Sequence, residues 1–445
     1  MPAELRIDSP RYETAVRIVR RLRDNGYAAL LAGGVVRDAL MGRAHEADID
    51  IATAAPPDAV MRLFPRHAAV GVNFGVVIVV EDGHPFEVAT FRSDDAYLDG
   101  RRPVRVSYTT PEEDAARRDF TLNGLFYDPL EDRLLDFVGG AADIRARVIR
   151  AIGNPEDRFA EDHLRILRAI RFAARLDFGI DPATWSAIRN RAGTLTRISR
   201  ERIRDELVKS LTRPGAGRAL RLFLEAGVLA VILPEAAAMA GVNQPEAFHP
   251  EGDVFTHTCL MYDHAVYPLT TELALGILLH DVGKPPTYRE AADRIRFDGH
   301  PETGARMARR ILERLKFSRA ETETVEALVR EHLRFIHVKQ MRPSTLKRFL
   351  RMSDFGAHLE LHRLDCLASH RDLSHHAFCA ERLAELGAEA LRPPPLLGGD
   401  DLIALGLTPG PRFKAILSEL EDLQLEGRLT TRDEALDHVR ASHLH

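Results

Sequence analysis

Between Arg11 and Arg23, the apolar residues Ala15, Ile18, Val19 and Leu22 recur at helical spacing, which predicts an amphipathic helix stopped by Gly26. Tyr27 to Ala32 is a short apolar run suited to a buried strand. Gly33-Gly34 separates it from a second helical stretch, Val35 to Met41. Asp48 to Thr53 alternates, which predicts a strand packing Ile49 and Ile51 on one face. Gly75 to Val80 and Pro85 to Phe91 flank Glu81-Asp82-Gly83-His84, the pattern of a hairpin. The first 150 residues thus predict a small α/β unit with a mixed sheet. From Asp157 onward the pattern is helical throughout. Proline and glycine near 212–217, 241–252 and 393–400 mark joints.

Composition narrows the setting. Of the 445 residues, 45% are hydrophobic, enough for several cores, which excludes global disorder. No run approaches the ~20 apolar residues of a membrane span. The opening MPAELRIDSP does not read as a secretory signal. Three scattered cysteines, Cys259, Cys366 and Cys379, are too few for a disulfide framework. The chain reads as soluble, intracellular and reduced, with a cytoplasmic location and no membrane partner; its oligomeric state stays open. The net charge of −5 hides an asymmetry. Residues 158–221 hold 14 Arg and 1 Lys against 7 Asp and Glu. That suits a phosphate-binding surface. A solvated helix face in an arginine-biased chain is the plainer reading, since only six of 61 basic residues are Lys.

The richest chemistry lies in Leu31-Ala-Gly-Gly-Val-Val-Arg-Asp-Ala-Leu-Met-Gly-Arg43 and the following Asp48-Ile49-Asp50. On a strand, Asp48 and Asp50 share one face. Adjacent carboxylates repel, and a divalent metal between them relieves the repulsion. Magnesium with two carboxylates and a triphosphate suits phosphoryl or nucleotidyl transfer. Glu87, on the second arm of the hairpin, is a candidate third carboxylate or an ordinary surface residue. Gly33 and Gly34 would let backbone N–H groups approach phosphate at a helix start, with Arg37 one turn further on. No P-loop pattern occurs.

These residues resemble the head of the class II tRNA nucleotidyltransferase and bacterial poly(A) polymerase family, within the DNA polymerase β-like nucleotidyltransferase superfamily. Further elements follow in the family's order. Arg117-Arg118-Asp119-Phe120-Thr121-Leu122-Asn123-Gly124-Leu125 resembles its RRDFTxNAL element, with Gly124 where Ala is usual. Glu161-Asp162-His-Leu-Arg165-Ile-Leu-Arg168-Ala-Ile-Arg171-Phe172 resembles EDxxRxxRAxRF. Ser199-Arg-Glu201-Arg-Ile-Arg204-Asp-Glu206-Leu207 resembles the ERIxxEL element.

The resemblance implies an α+β nucleotidyltransferase head with a mixed sheet over 1–150 and a helical neck over 151–240. An HD-type helical domain over 241–385 and a helical tail over 386–445 would follow. It implies that Asp48 and Asp50 bind Mg2+, that Gly34 and Arg37 hold the triphosphate, and that Arg118 contacts the nucleotide. Asp162 and Arg165 would read the base of CTP or ATP. Arg168 and Arg171 drift around an ideal helix relative to them, so they are assigned to phosphate or to positioning. Pairing along a solvated helix, such as Glu161 with Arg165, is the competing reading. The segment Asp94 to Thr109, with Asp99-Gly100-Arg101-Arg102-Pro103, stands where the family has a flexible loop used in the switch from C to A addition.

A second constellation comprises His257, His280-Asp281, His300, His332 and Asp365. Leu278-Leu-His-Asp-Val-Gly-Lys-Pro285 resembles the core of an HD-domain phosphohydrolase. Imidazoles with carboxylates suit Mn, Fe, Ni, Co or Zn, which lower the pKa of bound water. Asp354 and Asp372 compete with Asp365 for the last ligand position. A structural or vestigial metal site is the competing reading.

The expected activity is addition of CCA, from CTP and ATP, to the 3′ end of tRNA with release of pyrophosphate. The alternatives are a poly(A) polymerase, an A-adding or CC-adding relative, or a phosphohydrolase resting on the HD unit. An RNA-binding protein without catalysis is opposed by the acidic pair and Arg37.

Overall fold

The computed structural model describes residues 5, 7–43, 48–69, 75–94, 106–246, 249–292, 294–387 and 391–444. They pack into two compact units, residues 1–234 and 235–445.

The first unit is built on a seven-stranded sheet. Its strands are β1 (Ala29–Ala32), β2 (Asp50–Thr53), β3 (His67–Ala68), β4 (Val76–Glu81), β5 (His84–Thr90), β8 (Leu125–Asp128) and β9 (Arg133–Asp136), in the order β3-β4-β5-β2-β1-β8-β9. Between them in sequence, β6 (Arg92–Asp94) and β7 (Val106–Tyr108) form a separate antiparallel pair. The β2–β5 pairing is parallel, and the other pairings of the large sheet are antiparallel, so the sheet is mixed as expected. The hairpin between β4 and β5 turns on Asp82 and Gly83. Both have positive φ (51° and 78°), the twist that matches flanking strands. Phe91, Phe126, Leu30 and Ala52 fill the core on the sheet.

The helix expected from Arg11 spans Tyr12–Asp24, and the one after the diglycine spans Gly34–Leu40. The strand expected from Asp48 starts only at Asp50. Ala32 pairs with Asp50 as the last register position, and the chain of β1 then turns away at Gly33 (φ 67°). Asp48 therefore stands just before the strand. Alternation still holds, with Ile49 and Ile51 buried and Asp48 and Asp50 exposed.

Helices Pro155–Glu161, Arg165–Leu176, Pro182–Arg191, Arg200–Leu211 and Ala216–Glu225 complete this unit. The region is not wholly helical. β10 (Val148–Ile149) and β11 (Gly179–Ile180) pair in parallel, because Asp177 takes a left-handed conformation that ends the helix before it. Phe120 meets Phe172 edge-on at 5.9 Å, so the RRDFT segment packs directly on the helix Arg165–Leu176.

The second unit is almost entirely helical, with one short antiparallel pair, β12 (Arg289–Glu290) and β13 (Ile295–Arg296). Its last helices carry their own apolar cluster of Leu402, Ile416, Leu420, Ala435 and Val439. No described helix is long and apolar enough to cross a membrane.

Candidate functional site

In the head, the parallel β2–β5 register pairs Ile51 with Val88, which sets Asp50 beside Glu87 on the exposed face of the sheet. Loss of surrounding water, followed by the Glu87 charge, raises the Asp50 pKa to about 6. Arg118 opposes the rise and Asp48 adds to it. The four side chains thus share one electrostatic neighbourhood. Asp48 is 93% exposed and lies 3.4 Å from Arg11 Nη1. Asp48, Asp50 and Glu87 are not closed into a trio with ligand atoms within 4.8 Å of one another. The donor set, all carboxylate oxygen, fits a hard ion such as magnesium.

Gly33 and Gly34 lie at the turn from β1 into the next helix. A Cβ on Gly33 would stand 3.1 Å from Arg118 Nη1, so the small residue admits that guanidinium. Arg118 donates to Asp114 Oδ2 at 3.0 and 3.1 Å and to the Asn123 carbonyl at 3.1 Å, and it lies over the Phe126 ring. Arg37 is buried. It makes a two-pronged pair with Asp38 at 2.7 and 3.0 Å and donates to Asn123 Oδ1 at 2.9 Å. Its guanidinium is therefore fixed by protein partners beside the glycines.

On the helical side, Asp162 and Arg165 are not paired with each other. Asp162 accepts from Arg202 at 2.9 and 3.2 Å, while Arg165 donates to Glu161 at 2.7 Å and to the Arg117 carbonyl at 3.1 Å. The Glu161–Arg165 pairing considered from sequence is thus present. Arg168 donates to Asp119 at 2.8 Å, and Arg171 to Glu206 at 2.7 Å, both guanidinium groups lying against Phe172. Burial alone would raise the Asp119 carboxyl, but Arg168 and Asn123 hold it below the usual range. Asp114, Asp119, Asn123, Arg202 and Glu206 were not singled out from sequence as site residues. Asp119, Asn123, Arg202 and Glu206 stand inside the quoted motifs, which was the available signal. The loop bearing Asp99-Gly100-Arg101-Arg102-Pro103 lies outside the described residues.

In the second unit, His257, His280, Asp281, His300, His332 and Asp365 converge. His257 Nε2 lies 3.1 Å from Asp365 Oδ1, and His280 Nε2 lies 3.1 Å from Asp281 Oδ2. His300 and His332 Nε2 lie 3.4 and 3.7 Å from Asp281 Oδ1. Asp365, on the helix Phe355–Ala368, is the acid beside His257. Asp354 instead precedes that helix, and Asp372 accepts from the Ser374 amide. His280, His300 and His332 each place Nδ1 on a backbone carbonyl, at 2.7–2.9 Å. That leaves the Nε2 atoms facing inward. Despite the short separations, His257 Nε2, His280 Nε2 and Asp281 Oδ1 are buried without hydrogen-bonding geometry. Buried orphan atoms aimed at one another suit a metal ion.

Electrostatics agree with a pocket poised for a cation. Burial would raise Asp281, but His280 and Lys284 hold it well below the carboxylate range. Burial drives the His332 pKa down to about 3, keeping the ring neutral. Burial would also lower His257, yet the Asp365 and Glu251 carboxylates lift it to about 9, so a metal ion at Nε2 competes there with a proton. Lys284, in the HDVGK segment, donates to Asp281 at 2.7 Å and to Gln244 at 2.6 Å. A cavity of about 820 Å³, lined in part by His249, Lys284, Arg296, Phe297, His300 and Asp365, opens beside the cluster.

Fold and site define a class: a nucleotidyltransferase-type head with an arginine-rich helical segment, followed by a helical unit with an HD-type cluster of imidazoles and carboxylates. Residues 29–150 match the family described as poly A polymerase head domain. Residues 177–239 match the probable RNA and SrmB-binding site of polymerase A, and residues 254–355 match the HD domain. Together the three matches cover the head, most of the helical segment after it and much of the second unit. It is 42% identical to a CCA-adding enzyme of Geobacillus kaustophilus (strain HTA426) over 240 residues, 54% of this chain and 59% of that one. It is 44% identical to the CCA-adding enzyme of Geobacillus stearothermophilus over 224 residues, 50% and 55% of the two chains. The chain thus spans somewhat over half the length of the curated relatives it matches. A crystal structure of Bacillus stearothermophilus CCA-adding enzyme in complex with CTP superposes with a TM-score of 0.76 and 27% identity, covering 97% of this chain and 98% of that one.

Proposed function

We propose that the chain adds CCA to the 3′ end of tRNA from CTP and ATP, releasing pyrophosphate. The observation that carries this is Asp50 set beside Glu87, with Asp48 and Arg118 in the same neighbourhood and Arg118 against Gly33, where a triphosphate can meet both acid and guanidinium. Asp48 and Asp50, with Glu87 in support, would hold magnesium. Bound there, the ion supplies charge neutralisation for the triphosphate and for the attacking and leaving oxygens. Gly33 and Gly34 leave room for phosphate against the backbone. Arg118, already aimed at the glycines, contacts the incoming nucleotide, and Arg37, fixed by Asp38 and Asn123, adds positive charge from below.

Asp162 offers acceptors and Arg165 donors to the Watson–Crick edge of cytosine or adenine. Arg202 and Glu161 hold that pair in place, and Asp119 and Glu206 hold Arg168 and Arg171 behind it. A base with the wrong donor pattern leaves a buried group unpaired, which costs about 1–3 kcal/mol. The arginine-rich helices of 151–240 take the acceptor end by shape and phosphate. We place this work in the cytoplasm, where Cys259, Cys366 and Cys379, all free and buried, stay reduced.

The division we propose is head 1–150, neck 151–240, HD unit 241–385 and tail 386–445. A second activity is favoured by the orphan atoms of the HD pocket. His257, His280, Asp281 and Asp365, with His300 and His332, would hold a divalent transition metal. Such an ion supplies an activated water for phosphoester hydrolysis. Lys284 and Arg296 line the adjoining cavity, where they suit a phosphate group.

The test is incubation with tRNA lacking CCA, tRNA ending in CC, and unstructured RNA, each with CTP, ATP or both. Three-nucleotide growth of the first and one-nucleotide growth of the second support the proposal. Long A tails on any RNA would instead indicate a poly(A) polymerase.

A further inference from the structure

His257 differs from its neighbours in what holds its outer nitrogen. His280, His300 and His332 each rest Nδ1 on a carbonyl three residues earlier, those of Ile277, Phe297 and Val329. His257 sits in the first turn of the helix Val254–Asp263, and the carbonyl three residues before it, that of Val254, already accepts from the Thr258 hydroxyl at 2.9 Å. Its Nδ1 meets Glu251 Oε1 instead, at 2.6 Å. The same oxygen lies 2.9 Å from His249 Nδ1, and the His249 and His257 rings meet edge-on at 5.1 Å. Glu251 is 6% exposed at its side chain and His257 is fully buried.

An ionised carboxylate has no proton to give, so both imidazoles must donate to it through Nδ1–H. That fixes the Nδ1 proton of His257 and turns Nε2 toward Asp365 and His280, where a metal ion can replace its proton. His249 holds the carboxylate from its other side and also lines the cavity beside the cluster.

We propose that Glu251 is a positioning residue for the HD pocket, fixing the orientation and tautomer of His257 so that Nε2 is presented to a divalent transition metal. The inference rests on the reading of that pocket as a metal site. A carboxylate behind a ligating imidazole orients the ring and increases its donor strength. Removal of such a partner typically weakens metal affinity ~10–100-fold.

The experiment uses the full chain, stripped of metal with chelator and titrated with Co2+, with affinity read from the visible absorption of the bound ion. Melting of the metal-free proteins is recorded alongside. Glu251→Gln keeps an acceptor but loses the charge, whereas Glu251→Ala loses both. The expected result is affinity weakened ~10–100-fold in Glu251→Ala and by less in Glu251→Gln, with the metal-free melting of Glu251→Gln close to that of the parent. If Glu251→Ala does not fold, the Glu251→Gln affinity decides. Variants that bind Co2+ as tightly as the parent, even if they melt earlier, overturn the positioning role and leave the metal site standing. A parent chain that binds no Co2+ overturns the metal reading itself, and this inference with it.

Discussion

Asp50 is the residue at which repulsion and function meet. Its proton is held more tightly in the folded chain, with a pKa of about 6 against 3.8. A raised carboxyl pKa means that the native state binds more protons than the unfolded state between those values. Stability then falls as pH rises through that window, and the ionised group is a cost at neutral pH. Asp50→Asn is therefore expected to raise the melting temperature of metal-free protein at pH 7, with the gain vanishing near pH 4, while abolishing nucleotide incorporation. A variant that is less stable at pH 7 would show that the carboxylate is paired rather than crowded. The acidic pair was legible in the sequence because alternation places two carboxylates on one face. The long-range partners of Arg37 and Arg165 were not, because Asn123 and Arg117 come from a distant segment that only the tertiary fold brings near.

Elements carry the next level of the account. The helices Arg165–Leu176 and Arg200–Leu211 are joined through Glu206, which receives Arg171 at 2.7 Å and lies 4.0 Å from Arg168. Glu206 is 3% exposed at its side chain and Arg171 is 8% exposed, so removal of the acid strands a buried charge. Glu206→Ala is expected to lower stability by about 3–5 kcal/mol in denaturant melts, more than surface pairs such as Arg62–Asp58 contribute. At the HD motif, Gly283 touches the start of the helix His300–Arg314. A Cβ there would stand 2.2 Å from the His300 carbonyl and 2.6 Å from the Gly304 amide. Both atoms are backbone, so Gly283→Ala must push His280-Asp281 away from His300. The expected outcome is an earlier melting transition together with weaker Co2+ binding, read in the same titration as the Glu251 variants.

Periodicity foretold the hairpin and the helix after the diglycine to within a residue or two. It missed the parallel pair formed by Val148–Ile149 and Gly179–Ile180, since two-residue strands have no period to read. The start of β2 was placed two residues early for a different reason: alternation continues through Asp48, and only the register with β1 ends at Asp50.

At the scale of the whole molecule, two chemistries sit in two compact units. One holds carboxylates of the kind that suit a hard ion, and the other imidazoles with carboxylates of the kind that suit a borderline one. The distinction was visible in the residue types, Asp and Glu near the diglycine against His with Asp further on. That His257 and Asp365, more than a hundred residues apart, meet was legible through the HD resemblance and not from spacing.

The most direct test is a product-length gel of radiolabelled tRNA lacking CCA, incubated with CTP, ATP and magnesium and with either the parent chain or Asp48→Ala. The account predicts growth by three nucleotides with the parent and none with the variant. Equal growth with Asp48→Ala would contradict it, because the acid pair would then have no part in nucleotide transfer.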